Sequence, residues 1–197
     1  MFVTFEGIDG SGKTTQVKLL REALEGAGRE VVATREPGGT ALGEGIRELV
    51  LHGVDMTPWA EAALYAAARA ELVAEVILPA LDRGAVVISD RYVDSSLAYQ
   101  GTARGLGLDR VLELNLNAVS GLLPETTFLL TLDAETAARR SSAKPDRIER
   151  EGAAFMQRVD EAYRELAAIF ANRIVVLDGK KPPHALALEI RGHLGLS

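Results

Sequence analysis

Residues 2–15 read FVTFEGIDGSGKTT, a short apolar run that leads through a glycine-rich turn into residues with helical spacing. The turn from Gly7 to Thr14 satisfies the pattern G-x-x-x-x-G-K-[ST]. Glycines let the backbone wrap closely around phosphate oxygens, and the N-terminus of the following helix adds partial positive charge. A glycine-rich turn that binds nothing is the alternative, but the strand before and the helix after are the context that the motif requires. The stretch therefore predicts a phosphate-binding loop.

The side chains of this loop have different expected roles toward MgATP. Lys13 is predicted to bridge the β- and γ-phosphates and to act in catalysis, and the Thr14 hydroxyl is predicted to ligate Mg²⁺. Asp9 has three open roles: it can accept from an acceptor nucleotide, pair with Arg35 or shape the loop. The residues of the loop predicted to bind ATP are Gly7, Ile8, Asp9, Gly10, Ser11, Gly12, Lys13 and Thr14.

Strands and helices are predicted to alternate along the whole chain. Short apolar or β-branched runs read as five buried strands, and longer segments with apolar residues at helical spacing lie between them. This alternation predicts an α/β fold, a five-stranded parallel sheet flanked by helices on both faces, in one domain of 197 residues. The predicted strands are residues 2–5, 31–34, 86–89, 128–132 and 174–177.

Composition excludes several classes of protein. The chain has no cysteine, which rules out disulfides and a thiol nucleophile, and three scattered histidines show no ligand spacing. A net charge of -6 disfavours a general nucleic-acid binder. The sequence has no leader pattern and no run of about 18 apolar residues, so we expect a cytoplasmic protein that does not bind membranes.

Two further motifs follow the second and third predicted strands. Residues 34–40 read TREPGGT, and residues 90–101 read DRYVDSSLAYQG. Together with the phosphate-binding loop, these motifs resemble thymidylate kinase of the bacterial type, a P-loop nucleoside monophosphate kinase, over residues 5–163. The resemblance implies the P-loop NTPase fold with a short mobile lid, and transfer of the γ-phosphoryl group from MgATP to dTMP in dTTP biosynthesis. It also implies a homodimer.

Cations and a carboxylate at the strand ends suggest an acceptor site. Arg35 and Arg91 leave the ends of neighbouring strands, so their guanidinium groups can converge on one phosphate dianion, and Arg91 is assigned to catalysis as well. Asp90 is either a metal ligand or the N-cap of the following helix. The resemblance implies that Asp9 belongs to the site and that a cis bond before Pro37 turns Arg35 inward.

The base and sugar would be recognised by residues from two helical segments. Tyr65 and Arg69 are four residues apart within residues 58–78, on one helix face. Alone, the pair would be read as a core aromatic beside a surface cation, whereas the resemblance implies that Tyr65 stacks on thymine and Arg69 donates to its O4. The resemblance also assigns dTMP contacts to residues near the base edge and the sugar 2′ position, with a core role equally open for the last: Ser96, Tyr99, Gln100 and Tyr163.

Residues 139–150 form a charged segment that the resemblance identifies as the lid. A solvated turn is the ordinary interpretation of such a run. However, the variable loop positions 8–11 contain no cation, so positive charge for the transition state must come from elsewhere. We therefore predict Arg140 and Arg147 near the phosphates, as catalytic residues, and Arg139 near adenine. No general base is required, because the acceptor phosphate is already an anion.

Two other functions compete with this interpretation. The chain could phosphorylate a different nucleoside monophosphate or a small phosphorylated metabolite, but the Tyr65–Arg69 pair and the Arg35 turn argue against that. It could also be a regulatory module that binds ATP. Such a module needs no second phosphate clamp, so Arg35 together with Arg91 is the feature that distinguishes a kinase from a regulatory module.

Overall fold

The computed structural model describes residues 1–140 and 146–196. Five parallel strands form one sheet in the order β2-β3-β1-β4-β5. The prediction of a five-stranded parallel sheet is confirmed, and each strand lies within two residues of its predicted bounds. The strands are β1 (Phe2–Glu6), β2 (Val31–Arg35), β3 (Val86–Asp90), β4 (Thr126–Thr131) and β5 (Ile174–Asp178).

Helices connect the strands and cover both faces of the sheet. One long helical region passes from α3 (Pro58–Leu72) through a π-helical segment, Val73–Ile77, into α4 (Leu78–Asp82), whose first turn contains Pro79. Proline has no N–H to give to the preceding turn, which fits a change of helical geometry at this place. The helices are α1 (Lys13–Gly26), α2 (Ala41–His52), α3 (Pro58–Leu72), α4 (Leu78–Asp82), α5 (Val93–Ser96), α6 (Leu108–Ala118), α7 (Ala134–Arg140), α8 (Ala153–Ile169) and α9 (Pro183–His193). A second π-helical segment is Leu97–Ala103, and a 3₁₀ turn is Glu149–Glu151.

Apolar side chains fill both sides of the sheet. Along β1, Phe2 joins the cluster on one face, whereas Val3 and Phe5 join the cluster on the other, where Leu20 of α1 and Ile190 of α9 pack. Burial on both faces explains why the central strands β1, β3 and β4 are mainly apolar instead of alternating between apolar and polar residues. Within the part of the chain that is described, no helix is both long and apolar enough to cross a membrane.

The turn after β1 is held close to the neighbouring strand. Gly7 has a φ of 133°, and a Cβ at this position would stand 2.4 Å from the Leu130 carbonyl oxygen of β4. A side chain at position 7 would therefore force the loop and β4 apart. Because β1 lies between β3 and β4, its loop also meets the segment after β3 at the carboxyl edge of the sheet, where ligands bind in such folds.

Candidate active site

A cavity of about 650 Å³ lies at the carboxyl edge of the sheet. Its floor is the loop after β1, and its walls come from the segments after β2 and β3, from α3 and from the segment before α8. The predicted site residues of the phosphate-binding loop that line it are Asp9, Gly10, Gly12, Lys13 and Thr14. Ile8 instead belongs to the apolar core, and Ser11 lines a smaller cavity of about 270 Å³ behind the loop.

The side chain of Lys13 is folded back over the phosphate-binding loop. Its Nζ donates to the carbonyl oxygens of Gly7 and Ile8, each at 3.0 Å, and lies 3.6 Å from Asp9 Oδ1. Burial lowers the pKa of the Lys13 ammonium, and the nearby charge of Arg91 lowers it further. In the described chain, α1 has no side-chain cap at its N-terminus, so the first N–H groups of the helix remain available for phosphate oxygens.

Thr14 and Asp90 are brought together across the site. The Thr14 hydroxyl donates to Asp90 Oδ2 at 2.7 Å, and both residues line the larger cavity. Asp90 does not cap the helix that follows it, since α5 has no side-chain cap among the described residues. A hydroxyl and a carboxylate are hard oxygen donors that suit Mg²⁺. The described residues contain no cluster of three or more histidines, cysteines or carboxylates for a metal, so oxygens from a nucleotide would have to complete the coordination.

Arg91 stands between the loop and the second half of the cavity. Its Nη2 donates to Asp9 Oδ1 at 2.8 Å, and its guanidinium carbon lies 5.3 Å from the centre of the Tyr99 ring. The Arg91 guanidinium beside Asp9 holds the pKa of that carboxyl well below its usual range. Asp9 therefore stays ionised and holds Lys13 and Arg91 near each other.

The TREPGGT motif contributes one more cation, Arg35. Arg35 lines the cavity, is 52% exposed, and donates from Nη2 to both carboxylate oxygens of Glu44 at 3.0 Å. The peptide bond between Glu36 and Pro37 is cis, and Pro37 lines the cavity. Sequence analysis missed Arg47, which also lines the cavity and donates to the Pro37 carbonyl at 2.9 Å.

Tyr65 lines the cavity, whereas Arg69 lies behind its wall. The side chain of Arg69 is 1% exposed, and its Nε donates to Glu36 Oε2 at 2.7 Å. The other guanidinium nitrogens donate to Ser96 Oγ at 3.0 Å, to the Tyr92 carbonyl at 2.9 Å and to Asn115 Oδ1. A hydrogen bond from Arg69 to a base stays a prediction, because the base would have to compete with these partners.

Four other residues predicted to touch the acceptor lie around the same end of the cavity. Ser96, Tyr99 and Gln100 line it, and Gln100 donates to Glu61 Oε1 at 2.8 Å. Tyr163 is 2% exposed, and its hydroxyl lies 3.3 Å from Arg91 Nη1. Tyr163 therefore combines a core position with a polar contact to the site.

The described residues of the predicted lid occupy different places. Arg140 lines both cavities, and its Nη1 donates to the Gly179 carbonyl at 2.9 Å. Arg147 is 5% exposed; its Nη2 donates to Glu61 Oε2 at 2.6 Å and its Nε to the Val50 carbonyl at 2.8 Å. This guanidinium does not reach the phosphate-binding loop in this structure. Arg139 is exposed and donates to Thr136 Oγ1 at 3.4 Å, and residues 141–145 lie outside the described residues.

Three buried carboxylates were missed by sequence analysis: Glu36, which lines the cavity, and Glu61 and Glu6, which do not. Glu36 pairs with Arg69, and Glu61 pairs with Arg147 and Arg104. Glu6 is fully buried at the end of β1. A charged residue at the end of an otherwise apolar strand was the available signal for Glu6, because a buried carboxylate requires partners.

Comparison with known proteins gives one consistent result. A family model for thymidylate kinase matches residues 5–190. The chain is 51% identical over 199 residues to a thymidylate kinase of Bifidobacterium longum (strain DJO10A), covering 98% of this chain and 97% of the relative. It is 54% identical to that of Leifsonia xyli subsp. xyli, covering 98% and 94%. A crystal structure of thymidylate kinase from Ehrlichia chaffeensis superposes with a TM-score of 0.81 at 34% identity, covering 98% of both chains.

Proposed function

Because this chain belongs to the thymidylate kinase family, we propose that it transfers the γ-phosphoryl group of ATP to dTMP, giving ADP and dTDP for dTTP biosynthesis. The observation that carries the proposal is the pairing of Asp9 with both Lys13 and Arg91 in one cavity. In the proposal, Lys13 is the cation for the donor phosphates and Arg91 is the cation for the acceptor phosphate, and both pair with Asp9. A regulatory module that only binds ATP needs no acceptor cation, so the arrangement favours a kinase.

In the proposed reaction, an oxygen of the dTMP phosphate forms a bond to the γ-phosphorus while the bond from that phosphorus to the bridging oxygen of ADP breaks. Lys13 neutralises the transferring group, and Arg91, with Arg35, holds the acceptor phosphate. The acceptor oxygen is already anionic, so no residue has to remove a proton. The backbone of the loop residues Gly7, Ile8, Asp9, Gly10, Ser11, Gly12 and Thr14 is proposed to surround the ATP phosphates, and Pro37, which lines the cavity, to border the acceptor.

Thr14 and Asp90 are the residues that would hold Mg²⁺ with ATP. Their oxygens are adjacent, face the cavity and are of the hard type that this ion prefers. When bound, Mg²⁺ neutralises charge on the β- and γ-phosphates. Thr14 and Asp90 orient each other through their hydrogen bond.

The far end of the cavity is the proposed site of the thymine base and deoxyribose. Tyr65 stacks on the base, Ser96 and Gln100 form its polar edge, and Tyr99 fills the space that a 2′-hydroxyl would need. Tyr163 closes the pocket next to Arg91. Arg69, held by Glu36, sets the position of Ser96 and lies behind the expected place of the base O4.

A coupled assay of ADP formation with a panel of nucleoside monophosphates tests the proposed function. We expect turnover with dTMP to exceed that with dCMP, dGMP and dAMP, because Tyr65 and Ser96 line a pocket suited to a pyrimidine with an acceptor at position 4. Omission of Mg²⁺ is expected to remove activity. Faster turnover of another monophosphate would reassign the substrate, and ATP consumption without any acceptor would contradict a kinase.

Arg140 is the proposed source of positive charge from the lid, because it lines both cavities. Arg140→Met is expected to lower kcat by about 10²–10³-fold, the usual loss for one group that stabilises transition-state charge, with little change in dTMP affinity. Arg139→Met is the matched control on the same helix, since Arg139, near adenine in our proposal, does not line the larger cavity. Steady-state kinetics of both variants decide the point: equal kcat values in the two would contradict this role for Arg140.

Arg147 has a different expected effect, although sequence analysis placed it near the phosphates. Arg147 forms a buried ion pair with Glu61, so we expect Arg147→Met to reduce the thermal stability of the fold, with a smaller effect on kcat. If the folded variant lost kcat without losing thermal stability, the catalytic role predicted from the sequence would be supported.

A homodimer and a cytoplasmic location complete the proposal. Apolar side chains are exposed on α2 and near the start of α3: Leu42, Leu49, Val54 and Trp59. A second copy of the chain would cover this surface, which includes part of α3. Light scattering measures the mass in solution, and a monomer would contradict the dimer. The location follows from the proposed use of ATP and dTMP, and cell fractionation tests it.

A further inference from the structure

Glu6 is a fully buried carboxylate directly beneath the acceptor side of the cavity. It ends β1, one residue before the phosphate-binding loop, but its side chain is directed toward the segment after β3. Burial, reinforced by the charge of Asp94, raises the pKa of the Glu6 carboxyl to about 7. Such a group is expensive to bury, so its partners indicate what it does.

Four donors point at the two oxygens of Glu6. Oε1 accepts from the backbone N–H groups of Tyr92 at 2.7 Å and Ser95 at 3.2 Å. Oε2 accepts from the Ser95 hydroxyl at 2.6 Å and from the Tyr163 hydroxyl at 2.8 Å. One oxygen therefore holds the backbone after Arg91, and the other holds two side chains.

The same two hydroxyl oxygens face Arg91. Its Nη1 lies 3.2 Å from Ser95 Oγ and 3.3 Å from the Tyr163 hydroxyl oxygen. A guanidinium only donates, so both hydroxyl oxygens accept from Arg91 and turn their hydrogens toward Glu6. The hydrogen bonds thus run in one direction, from Arg91 through the hydroxyls to the carboxylate.

The backbone of Arg91 needs support from its neighbours. Its φ is 73°, a left-handed conformation that costs energy for a residue with a side chain. The Arg91 N–H donates to the Phe5 carbonyl at 2.9 Å, and Ser89 Oγ donates to the Arg91 carbonyl at 2.7 Å. Glu6 fixes the next N–H, that of Tyr92, so it acts on both the backbone and the side chain of this arginine.

We propose that Glu6 is a positioning residue for binding of the acceptor phosphate, orienting the Arg91 guanidinium through the hydroxyls of Ser95 and Tyr163. The inference rests on the proposed function, in which Arg91 holds the phosphate of dTMP. With Nη1 held by the two hydroxyls, Nη2 stays at Asp9, and Arg91 lines the cavity. Glu6 itself does not line the cavity.

Glu6→Gln tests the direction of the hydrogen bonds with little change in shape. The glutamine oxygen can still accept from the two backbone N–H groups, which preserves the local fold. Its amide nitrogen, in contrast, donates where the carboxylate accepted, so the two hydroxyls lose their acceptor and can no longer hold Arg91 in the same way.

Calorimetric titration at about pH 8, above the raised pKa of Glu6, gives the Kd of dTMP and of thymidine for the wild-type protein and for Glu6→Gln. We expect dTMP affinity to fall about tenfold, a size typical of residues in one hydrogen-bond network. Thymidine lacks the phosphate and should bind both proteins equally. Loss of a negative charge by itself favours a dianion, so weaker dTMP binding reports a displaced guanidinium. Unchanged or tighter dTMP binding would overturn the inference, as would an equal loss for thymidine.

The charge-neutral variant Ser95→Ala/Tyr163→Phe provides a second test, which also serves if Glu6→Gln does not fold. It should weaken dTMP binding more than thymidine binding, and adding Glu6→Gln to it should change dTMP affinity little further. Undiminished dTMP affinity in the double variant would contradict an action through these hydroxyls. So would a loss on adding Glu6→Gln that is as large as the loss Glu6→Gln causes in the wild-type protein. A wild-type protein that binds no dTMP would instead contradict the proposed function.

Discussion

Replacing Lys13 with alanine is expected to lower kcat by about 10³-fold or more, because the ammonium acts on the group whose negative charge develops in the transition state. The ammonium lies within the phosphate-binding loop, where it donates to the carbonyls of Gly7 and Ile8. A coupled assay at saturating ATP and dTMP measures the loss.

The folded state is expected to tolerate this substitution. Burial already disfavours the charged form of Lys13, and Asp9 keeps its pairing with Arg91 when the lysine is removed. Lys18→Ala, on the same helix and 75% exposed, is the matched control and should keep normal turnover. Near-normal turnover by Lys13→Ala with an intact thermal transition would refute the assignment of the phosphate-binding loop.

Arg69→Met is expected to lower the free energy of unfolding by about 3–5 kcal/mol, since it leaves a buried carboxylate without its ion-pair partner. Glu36 is the carboxylate concerned, and its Oε1 already has no hydrogen-bond partner among the described residues. At roughly 2–4 °C per kcal/mol for a chain of this size, Tm should fall by roughly 6–20 °C. Differential scanning calorimetry measures this shift.

The matched variant Arg69→Met/Glu36→Gln separates the buried charge from the loss of the arginine. It removes the charge that is left unpaired, so we expect it to recover part of the lost Tm. If Arg69→Met alone melts at the wild-type temperature, the buried pair does not stabilise the fold.

The same two variants test whether Arg69 reads the base. Thymine presents an acceptor at position 4 and cytosine a donor, so removing a guanidinium near that position should lower kcat/KM for dTMP and spare dCMP. The ratio of the two values is measured at a temperature where both variants are folded. An unchanged ratio would confine Arg69 to holding Glu36 and Ser96.

The sheet could be predicted from the sequence because its central strands β1, β3 and β4 are buried on both faces, and because the edge strands β2 and β5 are also mainly apolar runs. The first two residues of β4 were missed because they are not apolar and so do not belong to such a run. Thr126 and Thr127 are polar, but Thr127 is fully buried and its hydroxyl bonds to that of Thr4. A polar residue that is satisfied by a neighbouring strand gives no signal in its own segment.

The phosphate-binding loop could be predicted because its chemistry lies in eight consecutive residues. The partners of the arginines could not, because folding brings them from distant segments. Arg69 meets Glu36, 33 residues away, and Arg147 meets Glu61, 86 residues away. The sequence around Arg147 resembles a solvated charged turn, and only the tertiary fold shows that its guanidinium is buried.

Asp9 is a counterion shared by the two cations that the substrates are expected to meet. It lies 3.6 Å from the cation expected to meet ATP and 2.8 Å from the cation expected to meet dTMP. A phosphate that draws Lys13 away leaves Asp9 more tightly bound to Arg91, so the electrostatic part of the coupling between substrates is antagonistic. Thermodynamic linkage requires each nucleotide to change the affinity of the other by the same factor, which dTMP titrations with and without a non-hydrolysable ATP analogue measure. Because the pKa of Asp9 lies well below its usual range, this antagonistic coupling between the two nucleotides should persist under mildly acidic conditions.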